Sequence, residues 1–155
     1  MFSQEEQDII AHKLDQLKKL KDGAITPKEL AKLITKRRVV WFNENKDAML
    51  SKYADLSEEE KAYKIIFLEH MGIDPRHSKM ERVSKNKIRI QSYNFCPYLE
   101  ACKQLGLDTK FVCKEICEPA VQKFSKMINP KLKFSRDYQK IRPYHHFCEE
   151  YFEIS

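Results

Sequence analysis

The sequence is poor in glycine and proline, with 3 and 6 respectively among 155 residues, which excludes collagen-like and low-complexity architectures. No apolar run approaches the roughly 20 residues needed to cross a bilayer as a helix. The opening MFSQEEQDIIAHKLDQLKKLKDG is acidic and amphipathic. It lacks the basic start and continuous apolar core of a signal peptide, so the chain reads as cytoplasmic. Internal repeats are absent. So are the paired CxxC knuckles of a zinc ribbon and the closely spaced CxxC run of a ferredoxin. No cysteine precedes Cys96, yet five follow from there, an odd number that does not suit a disulfide frame in a reducing compartment.

What is present is a globular, helix-leaning composition: 42% hydrophobic and 34% charged residues. A chain of this length can bury about two thirds of its unfolded surface around one core, so a single domain over residues 1–155 is expected. Its first part, 1–72, reads as helical and its second, 85–155, as a strand and helix part carrying the cysteines. The formal net charge is +6. Lys32, Lys36, Arg37 and Arg38 share a predicted helix, and PRHSKMERVSKNKIR forms a basic connector from Pro75 to Arg89. Neither cluster interleaves aromatics as nucleic-acid modules do, so both read as solvated faces.

Local chemistry predicts the elements. Acid in the first turn after Ser3, then Ile9, Ile10, Leu14, Leu17 and Leu20 at helical spacing, gives a first helix ending by Gly23. Thr26, Pro27 and Glu29 form a capping box for a second, with Leu30, Leu33, Ile34, Val40 and Trp41 as its buried stripe and an end at Asn43 or beyond. Ser57 through Glu60 caps a third, whose inward face is Tyr63, Ile66, Phe67 and His70. KIRIQSYNF alternates as a half-buried strand, Pro97 starts a helix closed by Gly106, and Asp108 caps TKFVCKEIC, after which Pro119 starts another turn. KLKFSRDYQ and HHFCEEYFEI alternate as two further strands. The expected fold class is α+β: N-terminal helices followed by a small antiparallel sheet with a helical, cysteine-bearing insertion.

Cys113 and Cys117, four apart on a helix, share a face. Cys96 sits at a strand-to-helix junction, where backbone N–H groups favour thiolate. Cys148 comes within reach if its strand pairs beside the strand before Cys96. Cys102, between Ala101 and Leu105, reads as packing. Four thiols from three elements suit zinc or an iron–sulfur cluster, with the metal identity open. Lys110, Lys114 and Arg142 would offset the charge, and Phe95, Phe111 and Phe147 would form an apolar shell. Alternatively, Cys96 is a nucleophile and either His145 or His146 passes protons, since adjacent histidines on a strand face opposite ways.

YNFCPYLEACKQLGL, FVCKEICEPAVQKF, NPKLKFSRDYQKI and FCEEYFEI resemble the C-terminal signature of the L-2-amino-thiazoline-4-carboxylic acid hydrolase-like family. The likeness spans about residues 55–155. It implies roles for Cys96, Cys113 or Cys117, and Cys148, and a hydrolase opening a C–N or C–S bond of a thiazoline-type ring. RPYHHFC stands where that family has a glycine turn, which enlarges the approach to Cys148. In element order the chain is also similar to 4-vinyl reductase-type domains, in which cysteines can hold a metal. The resulting expectation is a small cysteine-ligated metal protein of hydrolase-like type, with a cysteine-dependent ring-opening hydrolase as the first alternative. A basic adaptor for a protein or nucleic acid is the second. The partners expected are a small-molecule substrate or a redox protein, with neither nucleic acid nor membrane.

Overall fold

A computed structural model describes residues Met1–Ser155. The α+β expectation holds: two long helices and three shorter helical stretches accompany a four-stranded antiparallel sheet. Helix α1 (Gln4–Lys21) starts at a full Ser3/Glu6 capping box and α2 (Pro27–Lys52) at a full Thr26/Glu29 box with Pro27 in the first turn. Each cap satisfies backbone donors that would otherwise be orphaned, worth about 1 kcal/mol per helix. Ser57 caps α3 (Glu58–Ala62) by accepting from the Glu60 N–H. The Glu60 carboxylate does not return to Ser57 but pairs with Arg82 at 3.1 Å.

Helix α2 runs unbroken to Lys52, past the expected end. Its inward face is Leu30, Ala31, Ile34 and Phe42, while Leu33 and Val40 are 49% and 47% exposed. Two of the five residues assigned to its buried stripe therefore face outward. Helix α3 widens into a π-helical stretch, Tyr63–His70. The change of period puts Ile65 inside along with Tyr63, Ile66 and Phe67, a rotation that a 3.6-residue reading does not anticipate.

The segment expected to be a basic connector is instead a β-hairpin. Strands β1 (Ser78–Ser84) and β2 (Lys87–Ser92) pair antiparallel, with Met80 opposite Ile90. Helix α4 (Pro97–Leu105) ends at Gly106, whose φ of +67° needs a residue without Cβ. Asp108 caps α5 (Thr109–Val112), which passes through a second π-helical stretch, Cys113–Cys117, into α6 (Glu118–Ile128). Strands β3 (Leu132–Asp137) and β4 (Cys148–Ile154) complete the sheet in the order β1-β2-β4-β3. Strand β4 begins at Cys148, so His145 and His146 lie on the preceding loop rather than in the strand.

Two apolar clusters hold the layers together. The larger joins Phe42, Ile66 and Phe67 of the helices to Phe124 and to Ile88, Ile90, Phe134 and Phe152 of the sheet. Phe67 meets Phe152 edge-on at 5.6 Å between ring centroids. Each such buried side chain contributes about 1.5–3 kcal/mol. Strand β3 is a sheet edge, and Gln122 of α6 bonds both backbone groups of Phe134, accepting at 3.0 Å and donating at 2.8 Å. A side chain thus substitutes for a missing strand. The smaller cluster joins Leu17, Leu30 and Ile34 to Ala101, Cys102, Val112, Ile116 and Ala120. Cys102 is core packing, as expected, and all five cysteines are free thiols.

Candidate functional site

The inward face of the sheet is built in rows. Ile88, Phe152 and Phe134 form one row across β2, β4 and β3, and the next is Ile90, Glu150 and Arg136. The row after that pairs Ser92 with Cys148. Within two residues along each strand the face changes from hydrocarbon to ionic and then to hydroxyl and thiol. The strand period of two places these groups under the helices as surely as it places the phenylalanines.

Above this polar end lies a cavity of about 300 Å³, at the small end of ligand-binding pockets. Its lining includes Lys13 of α1, Arg38 of α2, Cys96 and Tyr98 at the start of α4, Cys117, and Ser92, Arg136, Cys148 and Glu150 of the sheet. Phe67, Ile73 and Val121 supply apolar wall. Three of the four cysteines proposed as a cluster, Cys96, Cys117 and Cys148, therefore share one cavity. Cys113 lies outside its lining, because the π-helical stretch does not carry the α-helical alignment of residues four apart.

The electrostatics are set by Arg142, which the sequence points to, and by Arg136, Arg38 and Lys13, which it does not place at the site. Arg136 donates to the Glu150 carboxylate at 2.9 Å, with both side chains nearly closed off at 10% and 7% exposure. Burial pushes the Arg136 guanidinium down, but Glu150 outweighs it and the cation is held. Arg142 donates to the Asn94 carbonyl at 2.5 Å. Its backbone N–H and Nε both point at the Cys148 sulfur, at 3.4 and 3.5 Å, so it clamps the loop before β4 to the turn after β2. Lys13 stands 4.8 Å from the centre of the Tyr98 ring, a cation–π contact. Its pKa is lowered, first by burial and then by Arg37 and Arg38.

The thiols answer to the same field. Burial pushes Cys117 up to about 11, against the pull of Arg38, Arg136 and Lys13. Burial also raises Cys96, opposed by the Leu99 N–H and Arg142, and raises Cys113, opposed by Arg136. Desolvation outweighs the junction position at Cys96, which is kept as the protonated thiol. His145 stacks edge-on with Phe147 at 4.5 Å, and neither His145 nor His146 lines the cavity. Lys114 is exposed and Lys110 sits over Tyr144. Phe111 is 46% exposed and shields no thiol.

Several polar groups at this wall have no partner. Arg38 Nε and Nη1, Arg136 Nε, His70 Nδ1 and Ser92 Oγ are closed to solvent without a hydrogen bond. His70 stacks on Trp41 at 4.7 Å. Burial and then the Arg38 charge lower its pKa to about 4. One signal could have found Arg136: it follows Leu132 and Phe134 in the inward register of β3. Arg38 and Lys13 carried no such signal, because each shares its helix with many solvated lysines and arginines.

No protein-family model matches the chain, and no curated protein matches it. Among solved structures, it is similar to a trafficking protein particle complex subunit 3 from Naegleria fowleri covalently bound to palmitic acid. The two share 13% identity and a TM-score of 0.56, over 97% of this chain and 95% of the other. That likeness is one of fold.

These findings overturn the expected function of a cysteine-ligated metal protein of hydrolase-like type. The fold is found in a trafficking-complex subunit. Nowhere do three or more His, Cys, Asp or Glu side chains gather as metal binding requires. The physical reason is that Cys113 lies outside the cavity that Cys96, Cys117 and Cys148 line, and that burial keeps Cys96 and Cys117 as neutral thiols. The basic-adaptor alternative loses its connector, which is the β1–β2 hairpin. No helix is long and apolar enough to cross a membrane.

Proposed function

We propose that this chain is a ligand-binding module that encloses a small organic anion between its helices and the polar end of its sheet. The observation that carries this reading is the set of unpartnered groups at one cavity wall: Arg38, Arg136, His70 and Ser92. A buried donor left unsatisfied costs about 1–3 kcal/mol. Five such atoms on residues that line one space are better explained by a group that bonds them than by chance. Binding is favoured over turnover because burial holds the Cys96 and Cys117 thiols protonated. The trafficking subunit of similar fold carries covalently bound palmitic acid, a precedent for this fold in company with an organic acid.

Native mass spectrometry of the gently purified protein tests the reading. A small mass excess that Arg136→Met abolishes is the expected result. A bare protein that no organic anion stabilises would contradict it.

A second reading, favoured by the near-complete mutual coverage with a complex subunit, is that the chain works in the cytoplasm as a subunit of a protein assembly in vesicle trafficking. Size-exclusion of tagged protein from its own cells should then show a defined complex with stoichiometric partners. Elution as a monomer counts against it.

A further inference from the structure

The charge around the cavity narrows the ligand class, and this step rests on the reading of the cavity as a ligand site. The lining carries four cations, Lys13, Arg38, Arg136 and Arg142, and one carboxylate, Glu150. Glu150 is committed to Arg136. Arg142 is committed to Asn94 and the Cys148 sulfur. Lys13 and Arg38 remain. Neither makes an ion pair, and the main charges acting on them include no carboxylate. Both line the cavity together with Arg136 and Cys117, and all three cations oppose the upward push of burial on that thiol.

Two neighbouring positive charges without a counter-ion repel each other, and burial weakens screening. A monoanion would compensate one of them. We infer that the cavity is built for a doubly charged head group, a phosphate monoester dianion, seated beside Cys117 between Lys13, Arg38 and the free Nε of Arg136. A guanidinium presents donors that suit a phosphate's oxygens, and Arg136 Nε is one such donor without an acceptor. The side chain that carries it is nine-tenths buried. At about 300 Å³ the space admits a phosphate with a short apolar body against Phe67, Ile73 and Val121. Phosphate monoesters approach a charge of −2 at neutral pH, which offsets Lys13 and Arg38, while Arg142, whose acceptors are the Asn94 oxygens and the Cys148 sulfur rather than a carboxylate, keeps its own charge.

Calorimetric titration of the full chain with phenyl phosphate and with benzoate at pH 7.5 tests the inference, since the two probes share a ring and differ in head charge. Phenyl phosphate is expected to bind at least about tenfold tighter. Arg38→Met and Lys13→Met should each weaken phenyl phosphate more than benzoate and so remove most of that preference. Arg38→Lys, which keeps the charge, should retain most of it, and it serves as the reference should Arg38→Met fail to fold. Equal affinity for the two probes, or a preference that survives Arg38→Met and Lys13→Met, overturns the dianion while leaving the ligand cavity standing. Failure of both probes to bind removes the cavity reading as well. Vesicles bearing a phosphatidate head group form a second arm. Retention that phenyl phosphate competes away and Arg38→Met abolishes assigns the same phosphate chemistry to a lipid, whereas retention indifferent to both overturns the assignment of phosphate to this cavity.

Discussion

The apolar core and the cavity beside it are made by the same elements and satisfy opposite requirements. Strand β3 gives Phe134 to the core and Arg136 to the cavity, β4 gives Phe152 and then Glu150 and Cys148, and β2 gives Ile90 and then Ser92. Helix α2 gives Phe42 to one and Arg38 to the other. On the core side the side chains are apolar and packed mainly on one another, whereas on the cavity side donors are buried without acceptors. The first region stabilises the fold. The second costs stability that a ligand would restore, the usual signature of a binding site.

The largest expected difference between the two regions comes from removing a ring. Phe152→Ala, in the centre of the sheet, should cost about 3–5 kcal/mol by urea unfolding. Breaking the ion pair that separates the regions comes next: Glu150→Gln leaves Arg136 buried without a carboxylate, at about 3 kcal/mol. Added organic anion should recover part of that loss, but none of the loss in Phe152→Ala. Parallel urea curves with and without anion distinguish the two.

His70 links the regions through pH. Its value in the fold is about 4, below the unfolded reference of about 6.5. The native state therefore binds fewer protons between these values. Stability is full above pH 6.5, falls as pH falls through the window, and levels below about pH 4. The total loss is about 3 kcal/mol. His70→Phe should flatten that part of the stability–pH curve, and an unchanged slope would place the acid sensitivity elsewhere. The smallest effect belongs to the outer face of α2: Val40→Ala should stay within about 0.5 kcal/mol of the parent.

Much of the fold was legible where local chemistry acts alone. Ser3, Thr26, Ser57 and Asp108 announce helix starts, Gly106 announces an end, and Ile88, Ile90 and Ser92 alternate as a strand. Strand β1 was not legible. It is an edge strand whose residues are mostly exposed, and its identity depends on pairing with β2 rather than on its own pattern. The two π-helical stretches were hidden for a related reason, since their period is set by packing and not by the side chains they contain. At the site, the cysteines drew attention because they are few. The pairing of Ser92 with Cys148 does bring Cys148 near Cys96. The groups that set the chemistry of the cavity, Lys13, Arg38 and Arg136, were lost among the chain's 29 lysines and arginines. Only the register of β3 marked one of them as inward.

The contrast between the regions is tested most directly by thermal unfolding of ligand-free Arg38→Met beside the parent protein. Methionine keeps the apolar stem of Arg38 and removes a buried charge with two unpartnered donors. The cavity reading predicts that the ligand-free variant is more stable, by about 1–3 kcal/mol, with a higher Tm. A variant destabilised by a similar amount would show that Arg38 is a satisfied structural residue, and would remove the cavity's claim to be a binding site.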